Sequence, residues 1–150
     1  MFKKLLLLLF LVSLSFASEV DLSSPSRAVQ SYYDAMNEGD TDALSQIMTE
    51  ASFDTDMQVY ALSIAFQDSN FHIILKEYEK SEEAKQIVIK AVKKKLAKRK
   101  KRHIVINKEI SLGERRVMVR FQEDSKEKQL YLSHEKKGWK INYLAGRKTD

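Results

Sequence analysis

The sequence predicts an α+β domain, with helices first and a four-stranded antiparallel sheet after them that the helices cover. Two observations predict it. Up to about residue 100, apolar residues recur every three or four positions, the period of a helix with one buried face. After Arg102 the period changes to two, and short turn signals divide the rest into segments that only hairpins can join.

Each helix has its own start and stop. Ser24-Pro25-Ser26 supplies cap chemistry and a proline suited to the first turn. Ala28, Val29, Tyr32, Tyr33, Ala35 and Met36 then form an apolar stripe that ends at Gly39. Asp40 caps a short second helix with Ala43, Leu44, Ile47 and Met48 on its inner face. Residues 57–66 are apolar and fit helix or strand equally. Ile73, Ile74, Leu75 and Tyr78 suggest a further short helix. Ser81 caps a long one, with Glu82 and Glu83 against its positive end and Ala84, Val88, Ala91, Val92 and Leu96 as its buried stripe.

Four strands follow, centred on Ile104–Ile106, Val117–Phe121, Leu130–Leu132 and Trp139–Tyr143, with turns expected at Gly113, Ser125-Lys126 and Lys137-Gly138. The single proline lies near the start and no Gly/Ser-rich linker occurs, so one domain is expected over 18–150.

Residues 1–17 carry a different signal. Lys3 and Lys4 precede an apolar run over 5–14, about half the ~20 residues a spanning helix needs. Ser15 and Ala17 suit the small pockets of a signal peptidase, so the expectation is a secretory signal peptide cleaved after Ala17. The expected destination is a bacterial periplasm, with secretion as the second choice. There is no cysteine, which excludes a thioether-linked lipid anchor, disulfides, thiolate metal sites and a cysteine nucleophile. Charge is divided along the chain: residues 18–79 hold 12 acids and 2 bases, residues 80–150 hold 9 acids and 22 bases.

Residues 28–40, Ala-Val-Gln-Ser-Tyr-Tyr-Asp-Ala-Met-Asn-Glu-Gly-Asp, and residues 135–141, Glu-Lys-Lys-Gly-Trp-Lys-Ile, stand at opposite ends of this pattern. Together they resemble the first helix and last hairpin of the NTF2-like superfamily, in the style of small exported bacterial domains of the DUF4878 and lipoprotein type. The resemblance covers roughly residues 25–145. It implies a cone in which a curved sheet wraps a helix, often with a pocket at the open end. Relatives of this type include isomerases, hydrolases, transport factors and accessory domains, so the fold alone does not assign an activity. The long, charged helical stretch before the first strand departs from the pattern and would fill or cover the pocket.

The resemblance also implies a catalytic pair, with Tyr32 as oxyanion donor and Asp56 as proton-abstracting base. The plainer reading makes Tyr32 a core aromatic and Asp56 a cap or loop acid. Tyr32, Tyr33, Met36, Phe53, Tyr60 and Trp139 would line a ligand pocket, or serve as core. Residues 90–102 contain nine cations; Lys90, Lys93, Lys94, Lys98 and Lys101 are the candidates for binding an anionic surface. The bland alternative is a solvated face that offsets the acidic first half. His72, His103 and His134 fall on separate elements, so no metal site and no cofactor are expected. Nucleic acid is not an expected partner, because the chain is expected outside the cytoplasm and no aromatics interleave the lysines.

The expected role is a non-enzymatic binding or accessory module of the cell envelope. The alternatives are an isomerase- or hydrolase-like enzyme using the cone, and a protein that contacts an anionic membrane or partner through the basic helix. A small ligand, an envelope protein or a second copy paired through the sheet are the expected partners.

Overall fold

A computed structural model describes residues 17–147, so the expected signal peptide lies outside the described residues except for Ala17. Local chemistry sets the helix ends. Ser24 accepts a hydrogen bond from the Arg27 N–H and opens α1 (Pro25–Glu38). Gly39, at φ 68°, closes it and donates its N–H to the carbonyls of Ala35 and Met36. Asp40 then uses both carboxylate oxygens. One accepts from the Ala43 N–H at 2.9 Å and opens α2 (Thr41–Ile47); the other accepts from the Ser18 N–H at 3.0 Å.

The ambiguous stretch is the middle of α3 (Glu50–Ala65). It is helical because Phe53, Met57, Ala61 and Ala65, four residues apart, are all buried. Asp68 caps α4 (Ser69–Lys76) and Ser81 caps α5 (Glu82–Ala97). In α5 the predicted stripe is buried at Ala84, Val88, Val92 and Leu96, and half-buried at Ala91.

The strands form one antiparallel meander in the order β1 (Ile104–Gly113), β2 (Arg116–Glu123), β3 (Lys126–Glu135), β4 (Gly138–Ile141). Their turns differ by about one residue from the sequence expectation. The second loop is Asp124-Ser125, with φ of 46° and 70°. Positive φ at both positions is the twist-matched two-residue hairpin turn, here built without glycine.

Val117, Val119 and Phe121 are buried, as the alternation predicts, but Met118 between them is buried too. β2 is thus covered at that point on both faces. The chain after β4 turns back: the Asn142 N–H donates to the Tyr131 carbonyl, and Ala145 is buried.

α1 and α2 make the helical contacts with the sheet, and α5 packs against α1, α3 and α4. The Tyr33 ring meets Phe121 edge-on at 5.4 Å. Leu44, Ile47, Met57, Leu96, Leu132 and Ile141 are fully buried around this contact. Each such side chain contributes about 1.5–3 kcal/mol by leaving water. One parallel bridge, Met48 to Ile141, ties the end of α2 to the last strand. Among the described residues the acidic and basic halves meet in three ion pairs: Lys101–Glu38 at 2.7 Å, Lys85–Asp54 at 3.0 Å and, at the boundary itself, Lys80–Glu77 at 3.3 Å.

Two substitutions test these backbone claims by chemical denaturation. Ser125→Gly relieves a left-handed residue and is expected to stabilise by about 0.5 kcal/mol, the strain relief net of glycine's chain entropy. Gly39→Ala is expected to cost at least about 2 kcal/mol. Its Cβ would lie 2.9 Å from the Lys93 carbonyl and the Ala97 nitrogen, on a backbone at φ 68°.

Candidate functional site

The sequence-predicted pair meets inside the molecule. α1 directs Tyr32 inward and α3 directs Asp56 toward it. The Tyr32 hydroxyl donates to Asp56 Oδ2 at 2.8 Å. A third residue completes the group: Tyr143, just beyond β4, donates its hydroxyl to Asp56 Oδ1 at 2.7 Å. The two hydroxyl oxygens are 3.4 Å apart. Ser52, one turn before Asp56, accepts from the Tyr143 N–H at 3.0 Å and fixes that residue's backbone.

Asp56 is only 9% exposed. Burial raises its carboxyl above the ordinary aspartate value, while the two tyrosine hydroxyls pull it back down. The tyrosines respond in the opposite sense. Burial, followed by the negative charge of Asp56, holds Tyr32 and Tyr143 well above the usual phenol range, and the same pair of causes brings Tyr60 to about 12. All three hydroxyls are neutral at physiological pH. A carboxylate with both oxygens occupied by fixed donors is stabilised in place. To accept a substrate's proton it would have to give up one of these bonds.

Above this group lies a cleft of about 40 Å³, lined by Tyr32, Tyr33, Met36, Asn37, Tyr60, Arg99, Lys100 and Arg102. Four of the six expected pocket residues therefore come together. Phe53 is in the core instead, and Trp139 sits on β4 with its ring 5.1 Å from His134. The cleft is smaller than the roughly 300–1,000 Å³ of ordinary small-molecule sites.

Its rim is cationic. Arg102 pairs with the buried Glu123 at 2.9 Å, and its backbone exchanges two 2.8 Å hydrogen bonds with the Asn37 side chain. Arg99 lies over the Tyr60 ring, 5.3 Å from its centre. Arg99 Nη1 is buried and has no hydrogen-bond partner among the described residues.

The five expected surface lysines separate into two sets. Lys101 is paired with Glu38, and Lys93 turns toward Gly39 and Asp40, whose carboxylate feels its charge. Lys90, Lys94 and Lys98 are exposed, with no acidic partner among the described residues. Lys95 donates to the Ser63 hydroxyl of α3. The three histidines remain apart, and no cluster of three or more potential metal ligands occurs among the described residues. No helix among them is long and apolar enough to cross a membrane.

Sequence reasoning missed Tyr143, Glu123 and Arg99 as members of this site. Tyr143 was visible only as the end of an alternating strand, and Arg99 only as one cation among nine. No protein-family model matches the chain, and neither a curated protein nor a solved structure is significantly similar to it.

The buried carboxylate makes a pH-dependent contribution to stability. Folded Asp56 binds its proton more readily than unfolded Asp56. Its contribution is therefore fullest at low pH and declines as pH rises from 3.8, the ordinary value, through the raised folded value. Asp56→Asn is expected to remove that decline. Urea melts from acid to neutral pH should show the variant gaining on the wild type across this window; parallel profiles would contradict the assignment.

Proposed function

We propose that this chain is an exported, NTF2-like binding module without enzymatic activity, and that it lies against an anionic membrane surface through α5 and the neighbouring face of α3. The order of helices before a meander sheet supports the NTF2-like reading, as do the two matched sequence segments. The observation that carries the membrane reading is a pairing of charge with exposed apolar surface.

The outer face of α3 has no charge. Ala51, Thr55, Val59 and Leu62 are exposed along it, and Phe66 at its end is 87% exposed. Ser63 stands one turn from both Val59 and Phe66. Lys95 reaches Ser63, which ties α5 to this helix, and Lys94 and Lys98 are exposed on α5 itself. Lysines reach phosphate headgroups while a phenylalanine beside them enters the acyl boundary, and the two effects reinforce each other. The apolar strip is also what separates this reading from a merely solvated charged face.

A second reading rests on the meeting of Tyr32 and Asp56, which is the geometry an isomerase-like enzyme would need. The occupied carboxylate oxygens and the small cleft favour the binding module over it.

Vesicle co-sedimentation tests the proposal. Binding to phosphatidylglycerol-containing vesicles is expected, with little to pure phosphatidylcholine. Each surface lysine contributes about 1 kcal/mol, so Lys90/Lys94/Lys98→Gln should weaken binding roughly 100-fold. Phe66→Ser should weaken it at both low and high salt, because its contribution is not screened. Equal retention of all three proteins on the anionic vesicles would refute the membrane role.

A further inference from the structure

We propose that the cleft beside Arg99 receives the carboxylate of a small organic anion. The site is distinct from the membrane-facing lysines, and the inference does not depend on them.

The starting point is an imbalance among charges at the end of α5. Arg102 is satisfied by Glu123. Lys101 is satisfied by Glu38. Asp56, the other acid beneath the cleft, has both oxygens taken by tyrosine hydroxyls. None of these acids serves Arg99. Its guanidinium is held against Tyr60, yet Nη1 is buried without a partner among the described residues. Nη1 itself is closed to solvent, but Arg99 lines the cleft, so an anion entering there meets a positive charge that no acid among the described residues offsets.

Three features select the kind of anion. Arg99 and Lys100 both line the cleft and lack an acidic partner among the described residues, which favours negative charge. A volume of about 40 Å³ admits a flat two-oxygen headgroup, while the rest of a ligand must extend past Lys100 into solvent. The N–H groups of a guanidinium form a planar fork that matches the two oxygens of a carboxylate. A doubly charged tetrahedral anion is disfavoured by the two buried acids nearby, Glu123 and Asp56. The rim is also built rather than loose, because the Asn37 side chain clamps the Arg102 backbone on both its N–H and its carbonyl.

The experiment is an NMR titration without membranes, so it stands or falls separately from the vesicle assay. Sodium acetate is added at constant ionic strength while the Arg99 side-chain N–H and the Tyr60 ring are followed. Saturable shifts at both are expected, with a dissociation constant on the order of 1–10 mM, as suits so small a ligand. Arg99→Gln should abolish saturation. Arg99→Lys keeps the charge but not the fork, and should weaken acetate about tenfold. Lys90→Gln, on the outer face of α5, should change nothing. Linear shifts that never saturate would overturn the proposal, as would unchanged affinity in Arg99→Lys. Tighter binding of inorganic phosphate than of acetate at the same resonances would overturn the assignment to carboxylates.

Discussion

The structure depends on one buried carboxylate. Asp56 sits on α3, its two donors come from α1 and from the segment after β4, and these three parts touch the sheet, the helical layer and the chain's last turn. An isolated charge could not remain there, since the loss of water would outweigh any gain from packing around it. Two hydroxyls at 2.7 and 2.8 Å replace that water. Hydrogen bonds are directional, so the pair also fixes how α1 and α3 meet, which apolar contacts alone would leave looser. Tyr33 adjoins the same region through its edge contact with Tyr32 and passes the constraint to Phe121 and the sheet.

This arrangement is why the role proposed above is binding, although the site resembles catalytic machinery. Catalysis by a buried acid needs a free oxygen facing a substrate-sized space. Here both oxygens face donors, and the remaining space is small. What is available for interaction lies farther out, on cations without an acidic partner among the described residues and on the uncharged face of α3. Lys90, Lys94 and Lys98 look outward because Val88, Val92 and Leu96 must look inward. The same helix that closes the core therefore presents the charge.

Much of the fold was legible in the sequence. Ser24, Gly39, Asp40 and Ser81 each act where their chemistry predicts, because capping is a local matter. The change from a helical to a two-residue period marked the sheet. The second hairpin shifted by one residue because Asp124 and Ser125 adopt left-handed backbone that a reader expects of glycine or asparagine. α3 was ambiguous because it is apolar both where it packs and where it faces water, which blurs its period, and because its one buried charge lies on the inner face. The site was half legible: the family resemblance named Tyr32 and Asp56, which do meet, but Tyr143 lies 87 residues beyond Asp56, and no local pattern announces a contact of that range. The division of the lysines was not legible either, since it depends on where Glu38 and Asp40 fall in space.

The distance between Asp56 and Tyr143 also governs when the fold can form. Helices and hairpins assemble from near neighbours, but the bridge from Met48 to Ile141 and the bond from Tyr143 to Asp56 close loops of most of the domain. A chain that emerges from its amino end has nearly all its helices available while Asp56 still lacks one donor and Ile141 has not reached its place beside Met48. The interior is thus completed last, from the carboxyl end. Until then the chain holds an unfinished core with a solvated acid at its centre, the state in which a holding factor would meet it.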